Sequence, residues 1–276
     1  MIYLRTLADQ RRLRAAAESG ERVVVIGAGF IGSEIAAALA MNGKEVTMVF
    51  PGPAIGSRVF PGDLARFLVQ YFRDKAVEVL PGETVTAVRK VGEGWVLATG
   101  KGRRLEVDGV VAGIGITPNA ALAQAAGVRV GDGIEVDELL RASALGVYAA
   151  GDVASFFSPA LGSRIRFEHE DNANTMGRTA GRNMAGGREP YDHLPAFYSD
   201  LFELGYEAVG EVDARLETVP DWKTPYREGV VYYVRNGRVR GVLLWNVWGQ
   251  VDAARTLIAD PGPFATRDLI GRLRGT

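Results

Sequence analysis

The chain has 276 residues, 47% hydrophobic and 24% charged, which predicts about two domains with sizeable cores and excludes a disordered or collagen-like protein. Its 32 basic and 33 acidic residues give a net charge of -1, so no overall basic field favours nucleic acid or an anionic membrane as partner. The absence of cysteine excludes disulfides, a thiolate nucleophile, cysteine-ligated zinc and cysteine-held iron–sulfur clusters in this chain.

Nothing in the sequence indicates a membrane protein. No run approaches the roughly 20 apolar residues of a membrane span, and residues 1–5 lack the order of a signal peptide. We therefore expect no membrane span and a cytoplasmic location.

The first 50 residues alternate between helix and strand patterns. Residues 7–18 are rich in helix formers, which predicts a short first helix. The β-branched run 22–26 precedes a glycine-rich turn, residues 33–41 favour a helix, and residues 45–50 predict a second strand. Together these segments predict one βαβ unit of about 30 residues.

The rest of the chain predicts a longer sheet followed by separate regions. Further strands are predicted at 77–80, 85–88, 95–98, 107–111, 133–136, 147–150, 230–235 and 238–246, and further helices at about 62–75, 171–184, 250–258 and 266–273. Residues 113–119 are dense in turn formers and predict a crossing between domains. Asn236-Gly237 predicts a hairpin, because both turn positions need a positive φ.

The motif Gly27-x-Gly29-x-x-Gly32 follows a predicted strand and opens a helix, which is typical of a dinucleotide-binding turn. Gly27 permits the tight turn, Gly29 lets the backbone approach a pyrophosphate, and Gly32 lets the helix pack against the strand. The N–H groups at the helix start, where Phe30 and Ile31 are further candidate binding residues, face the anion. The alternative is a glycine turn needed only for close packing.

The preference between NAD and NADP stays open. The second strand ends on Phe50, where an NAD-selective site usually offers an acid to the ribose 2′-hydroxyl. The guanidinium of Arg58 is able to meet a 2′-phosphate, although a loop arginine is more often merely solvated.

Glu34 has two interpretations. We expect it in the first turn of the helix after the glycines, where the helix dipole stabilises a carboxylate whatever its function. In the other interpretation it lies beside a bound nicotinamide and orients its amide.

Two further polar segments are candidates. Asp152 follows Gly151 at the end of the predicted strand 147–150. Its carboxylate would accept a hydrogen bond from a ribityl or ribose hydroxyl, or Asp152 is simply part of a turn. Residues 168–171 are Glu-His-Glu-Asp and lead into a helix, which indicates a cap first, and a single histidine such as His169 is more often structural than catalytic. We expect no metal site, and the lack of a Gly-x-Ser-x-Gly elbow disfavours a hydrolase.

Three motifs, taken in chain order, resemble motifs of the FAD-dependent pyridine nucleotide oxidoreductases that have two dinucleotide-binding domains. They are Gly27-x-Gly29-x-x-Gly32-Ser33-Glu34, Gly113-Ile114-Gly115-x-x-Pro118-Asn119 and Val147-Tyr148-Ala149-Ala150-Gly151-Asp152. Segments 167–171, 197–200, 205–210 and 241–246 are similar to apoptosis-inducing factor and bacterial ferredoxin reductases. The resemblance covers essentially the whole chain.

The resemblance implies roles for individual residues. Gly27, Gly29, Gly32 and Glu34 would hold the nicotinamide nucleotide, Asp152 would bind the FAD ribityl chain, and His169 would lie near the isoalloxazine. Tyr198 stands where relatives often place a tryptophan that packs beside flavin and nicotinamide. Gly115, Gly151 and Glu168 are further candidate cofactor-binding residues.

The implied fold is α/β. It comprises a Rossmann-like NAD(P)-binding domain (1–115), the second part of an FAD-binding domain (116–190) and an α+β C-terminal interface domain with an antiparallel sheet (191–276), through which a homodimer is expected. Members of the family begin with another βαβ unit and its own glycine fingerprint for FAD. Only one fingerprint is present here, so the chain resembles a piece of a longer protein, and FAD binding without the missing N-terminal half stays open.

The implied function is that of an NAD(P)H-dependent FAD oxidoreductase that passes hydride from nicotinamide to flavin and electrons to an external acceptor, such as a ferredoxin or a quinone. The lack of cysteine excludes the relatives that reduce disulfides or peroxide through a redox-active cysteine. A catalytically incomplete nucleotide-binding or interaction module stays open as the alternative. A flavin-free dehydrogenase is disfavoured, because the sequence offers no catalytic acid/base set.

Overall fold

The computed structural model describes residues 1–274. Its contacts divide the chain into two compact units. The first comprises Met1–Gly115, Ser199–Gly205 and Asp213–Arg215, and the second Ile116–Tyr198, Tyr206–Val212 and the chain from Leu216 onward. The division into three domains stays a prediction.

The first unit is built around a parallel sheet. Its elements in chain order are β1 (Ile2–Tyr3), α1 (Leu7–Ser19), β2 (Arg22–Ile26), α2 (Phe30–Met41), β3 (Glu45–Phe50), α3 (Gly62–Asp74), β4 (Val77–Pro81), β5 (Val85–Val91), β6 (Gly94–Thr99), β7 (Arg104–Val107) and β8 (Gly109–Ala112). The parallel sheet has the order β1-β8-β2-β3-β4, and β5-β6-β7 form an antiparallel sheet. Val23, Val24 and Val25 of the central strand β2 are all buried, which explains its continuous apolar run, because a central parallel strand is covered on both faces.

The second unit contains two sheets. Its elements are α4 (Ala121–Ala125), β9 (Val130–Gly131), β10 (Gly133–Glu135), β11 (Ala154–Ser158), β12 (Ser163–Arg166), α5 (Glu170–Met184), β13 (Ala196–Leu201), β14 (Leu204–Gly210), β15 (Glu217–Thr224), β16 (Glu228–Arg235), β17 (Arg238–Trp245), α6 (Val251–Ala259) and α7 (Thr266–Leu269). The sheets have the orders β12-β11-β10-β9 and β13-β14-β17-β16-β15. The hairpin tip 199–205, which comprises the end of β13, the turn and the start of β14, is grouped with the first unit.

The larger sheet of the second unit packs against α6. Val230, Tyr232 and Leu244 from the sheet and Ile258 from α6 are fully buried in one cluster. In the β16–β17 hairpin, Asn236 and Gly237 have φ values of 53° and 73°, as the Asn-Gly signal predicts. The predicted fold class, a parallel α/β sheet followed by an antiparallel sheet, is confirmed.

The predicted strand 147–150 is wrong. Within the described chain this segment forms only an isolated antiparallel bridge, between Arg141 and Tyr148. The N–H of Ala149 bonds the Leu140 carbonyl, and the Val147 carbonyl accepts from Ala142. The preceding loop therefore satisfies its backbone groups, and the next strand, β11, begins only after the Gly151 turn.

Two other element boundaries differ from the prediction. The predicted strand 107–111 is interrupted at Asp108, which lies between the end of β7 and the start of β8. The Asp108 carboxylate accepts hydrogen bonds from the N–H groups of Glu21 and Arg22. The last helix ends at Leu269, and Gly271 follows with φ 80°. None of the helices within residues 1–274 is both long and apolar enough to cross a membrane.

Candidate functional site

Three glycines of the first unit pack so tightly that none has room for a Cβ. Gly27 has φ 108°, and a Cβ there would lie 2.2 Å from the Gly113 carbonyl oxygen. A Cβ at Gly32 would lie 2.5 Å from the Gly27 oxygen, and one at Gly113 would lie 2.9 Å from the Gly32 nitrogen. The ends of β2 and β8 and the start of α2 therefore meet backbone to backbone, with Gly113 as the partner that the sequence motif alone did not identify.

Gly29, by contrast, is open. It is the N-cap of α2, no side chain caps that helix, and nothing lies within 4 Å of the position where its Cβ would stand. Phe30 and Ile31, at the start of the helix, have exposed side chains. Because an uncapped helix N-terminus presents N–H groups and the positive end of the helix dipole, this turn fits the pyrophosphate of a dinucleotide.

Glu34 lies in the second turn of α2. The helix begins at Phe30, three residues earlier than predicted, and its first turn contains no acidic residue. The interpretation of Glu34 as a first-turn dipole cap is therefore wrong. Its exposed side chain instead accepts a hydrogen bond from Ser199 Oγ, with an Oγ–Oε1 distance of 2.5 Å.

The region after β3 carries the groups predicted to decide between NAD and NADP. Phe50 is buried, with 3% of its surface exposed, so it offers nothing to a ribose. Arg58 is exposed on the following loop, and its carbonyl accepts the Ala214 N–H at 3.0 Å. The Gly56 N–H bonds the Ala28 carbonyl at 3.0 Å, which holds this loop against the glycine turn. Arg58 is thus correctly placed on a loop near the turn, and its role stays a prediction.

In the second unit, His169 and Tyr198 lie side by side. His169 is the N-cap of α5, and its Nδ1 accepts the Asp171 N–H at a long 3.4 Å. Its ring meets the Tyr198 ring edge to face, with centroids 5.0 Å apart. Tyr198 is 54% exposed, so an aromatic face is open to a planar ligand. The side chain of His169 thus caps the helix, and the acidic residues Glu170 and Asp171 lie in its first turn, as predicted for a cap that complements the helix dipole.

Arg166 connects two other candidates. Its Nη1 donates to the Asp152 carbonyl at 3.1 Å and to the Glu168 carboxylate at 2.6 Å, and its Nε donates to Asp132. The guanidinium therefore fixes the backbone at Asp152 and the side chain of Glu168. The most distant of these partners, Asp132, lies 34 residues from Arg166 in the sequence, and no local signal in the sequence indicates this contact.

The remaining predicted glycines differ in their surroundings. Gly151 has φ 79°, and a Cβ there would meet Ala173 Cβ of α5 at 3.5 Å, an ordinary contact, so the positive φ is what requires glycine. Gly115 has φ 97° and open space around it. Both are compatible with a backbone that a cofactor approaches closely.

A charged cluster that sequence reasoning missed surrounds Asp171. Its Oδ2 lies 2.7 Å from His193 Nε2, 3.1 Å from the Ala196 nitrogen and 3.2 Å from Arg255 Nη2. Burial alone would raise the pKa of Asp171, but the hydrogen bonds from His193 and Ala196 and the nearby charges lower it to about 2. The cluster fixes the first turn of α5, directly after His169. Among residues 1–274, no group of three or more acidic or histidine side chains is arranged to hold a metal ion.

Comparison with known proteins gives consistent matches along the chain. The family model described as pyridine nucleotide-disulphide oxidoreductase matches residues 1–177, and that of the C-terminal, mitochondrion-associated region of apoptosis-inducing factor matches 180–225 and 220–260. A putative mitochondrial apoptosis-inducing factor 1 of Drosophila melanogaster is 33% identical over 94% of this chain and 42% of its own. The ferredoxin–NAD(+) reductase component of the anthranilate 1,2-dioxygenase system of Burkholderia cepacia is 34% identical over 93% of this chain and 64% of its own.

Solved structures agree with these matches. Putidaredoxin reductase, in its covalent complex with putidaredoxin, superposes with a TM-score of 0.88 at 29% identity and covers 96% of this chain and 64% of its own. The ferredoxin reductase for the CYP199A2 system of Rhodopseudomonas palustris gives 0.82 at 31% identity, over 89% and 61% of the two chains.

The chain spans about half the length of the curated relatives it matches, between 42% and 64% of each. FAD and NAD(P)H are the cofactors of this family and of its ferredoxin reductases, which confirms the predicted cofactors at the level of the family. The chain belongs to the pyridine nucleotide-disulphide oxidoreductase family and carries a C-terminal region of the apoptosis-inducing factor type.

Proposed function

We propose that the chain binds NAD(P)H and lines part of the flavin site of a flavoprotein reductase that delivers electrons to an external acceptor. The observation that carries the proposal is the glycine turn of the first unit. It is closed by backbone contacts at Gly27 and Gly32 and open at Gly29, where a pyrophosphate needs access. A turn needed only for packing would not require a glycine at Gly29, because a Cβ there meets nothing.

When bound, the two cofactors supply hydride transfer from nicotinamide C4 to flavin N5 and release of electrons to the acceptor. The residues of the chain bind and orient. The open turn at Gly29 takes the pyrophosphate, and the Glu34 carboxylate accepts the N–H of the nicotinamide amide. Asp152 and Glu168, held by Arg166, offer acceptors to flavin hydroxyl groups. The exposed ring of Tyr198 offers an aromatic surface to the flavin.

The acceptor is an external one. The chain has no cysteine, so none of its side chains can reduce a disulfide, although the family name refers to that chemistry. We favour a ferredoxin-type protein because the Burkholderia cepacia relative is named a ferredoxin reductase component and the putidaredoxin reductase structure contains putidaredoxin. A quinone is the second candidate.

The alternative is a nucleotide-binding or interaction module without turnover. The observation behind it is that the open glycine turn accounts for binding of one dinucleotide and does not by itself account for turnover. We propose the reductase as the better account, because the second unit also offers the exposed Tyr198 ring beside His169 as a surface for a second planar cofactor. The predicted cytoplasmic location and homodimer remain proposals.

The test is reduction of ferricyanide by NADH in the presence of added FAD. The reductase predicts turnover above the rate of free FAD, and Glu34→Ala is expected to lower kcat/KM for NADH by about tenfold, the equivalent of one charge-assisted hydrogen bond. Nucleotide binding without turnover would favour the module. Absence of both would overturn the proposal.

A further inference from the structure

Ser199 makes a contact that neither the glycine motif nor the flavin site explains. It is 2% exposed, and its hydroxyl donates to Glu34 Oε1 at 2.5 Å across 165 residues of sequence. Glu34 itself is exposed on α2. A buried hydroxyl thus donates a hydrogen bond to a carboxylate that solvent can reach.

The segment that carries Ser199 is fixed against α3. In the hairpin tip 199–205, Phe202 packs its ring edge to face on Tyr71 and Phe72, with centroids 5.8 and 5.1 Å apart. Glu203 forms an ion pair with Lys75 and accepts the Tyr71 hydroxyl. These hydrogen bonds, that of Lys75 first, lower the pKa of Glu203 to about 2. Ser199 therefore reaches Glu34 from an anchored segment.

A glutamate side chain has three rotatable bonds, and an exposed one loses about 1.5–2 kcal/mol of rotamer entropy when a ligand fixes it. A hydrogen bond from a fixed hydroxyl removes part of that cost before the ligand arrives. Because a carboxylate accepts on both oxygens, the bond at Oε1 leaves Oε2 for a second donor.

We propose that Ser199 is a positioning residue that holds the Glu34 carboxylate in the orientation that accepts the nicotinamide amide. The inference rests on the proposed function, in which Glu34 meets the nicotinamide. Ser199 touches no cofactor and acts through Glu34.

The test compares two ligands by titration calorimetry. NADH contains the nicotinamide, and ADP-ribose has the same ADP and ribose without it. Ser199→Ala is expected to weaken NADH binding by about five- to tenfold, the loss expected when an oriented side chain becomes free to rotate. ADP-ribose affinity should stay unchanged, and Ser199→Thr, which keeps the hydroxyl, should restore NADH affinity.

Two controls separate positioning from a structural role. Ser158→Ala removes another fully buried hydroxyl, which accepts the Leu161 N–H, and should alter neither affinity. In a Glu34→Ala background, Ser199→Ala should have no further effect, because its action passes through Glu34.

The outcomes distinguish this inference from the proposed function. If wild type binds NADH no more tightly than ADP-ribose, the nicotinamide site itself fails, and the inference fails with it. If Glu34→Ala weakens NADH binding but Ser199→Ala does not, only the positioning role of Ser199 is overturned. Equal losses of NADH and ADP-ribose affinity in Ser199→Ala would also overturn it, since they would indicate a structural role.

Discussion

Replacement of Gly29 by alanine should separate nucleotide binding from folding. Gly29 has φ -82° and ψ -169°, a conformation open to any residue, and a Cβ there has nothing within 4 Å. Because Gly29 is the N-cap of α2, its replacement by alanine should lower the free energy of unfolding by less than about 1 kcal/mol. The methyl group would stand where the pyrophosphate must approach. Losing one charge-assisted hydrogen bond of about 1.5–3 kcal/mol weakens NADH binding by at least about tenfold.

The matched control is Gly32→Ala, three residues along the same helix. Its Cβ would lie 2.5 Å from the Gly27 carbonyl oxygen, a backbone atom that cannot rotate away. Overpacking of this kind costs about 1–3 kcal/mol, so Gly32→Ala should lose stability as well as binding. Urea denaturation and NADH titration of both variants measure the two effects. Wild-type NADH affinity in Gly29→Ala, or equal destabilisation of both variants, would refute the account of the turn.

Two further predictions concern the second unit. Because the pKa of Asp171 is lowered to about 2, its ionised form stabilises the fold above its unfolded pKa of about 4, and this contribution is lost as pH falls from about 4 to about 2. Asp171→Asn should therefore be less stable than wild type at neutral pH, with a difference that shrinks over that range in denaturation curves; a constant difference would contradict this. In the β16–β17 hairpin, Gly237→Ala combines φ 73° with a Cβ 2.9 Å from Pro263 Cβ and should cost about 2–4 kcal/mol. Gly43→Ala, at φ 74° with no neighbour within 4 Å, should cost only the strain of about 1–2 kcal/mol, and equal losses would show that the Pro263 contact is unimportant.

The βαβ unit could be predicted because its signals are local. Strands β2 and β3 lie at the predicted residues, since apolar runs bounded by glycine and helix formers define them. The sequence predicts the start of α2 three residues too late, because Gly29 offers no capping side chain to mark it. This error also gave Glu34 the wrong helical turn. The apolar run 147–150 predicts a strand but does not form one, because its backbone partners lie in a loop and not in a sheet.

The contacts that organise the candidate site could not be read from the sequence. Ser199 meets Glu34 across 165 residues, and Arg255 meets Asp171 across 84. Arg166 gathers partners from three separate segments. Such pairs depend on tertiary structure, and one sequence holds no periodic or spacing signal for them. The family resemblance predicts Tyr198 and His169 as site residues, and these roles stay predictions, whereas the contacts of Ser199 and Arg166 emerged only from the fold.

The most direct measurement of the central claim is an anaerobic visible spectrum of the chain with added FAD, recorded before and after NADH. The account predicts that the long-wavelength flavin band bleaches much faster than in FAD and NADH without protein. Gly29→Ala should slow this bleaching strongly. If wild type bleaches the band no faster than the protein-free mixture, these 276 residues do not by themselves bring nicotinamide and flavin together, which contradicts the claim that they suffice for hydride transfer.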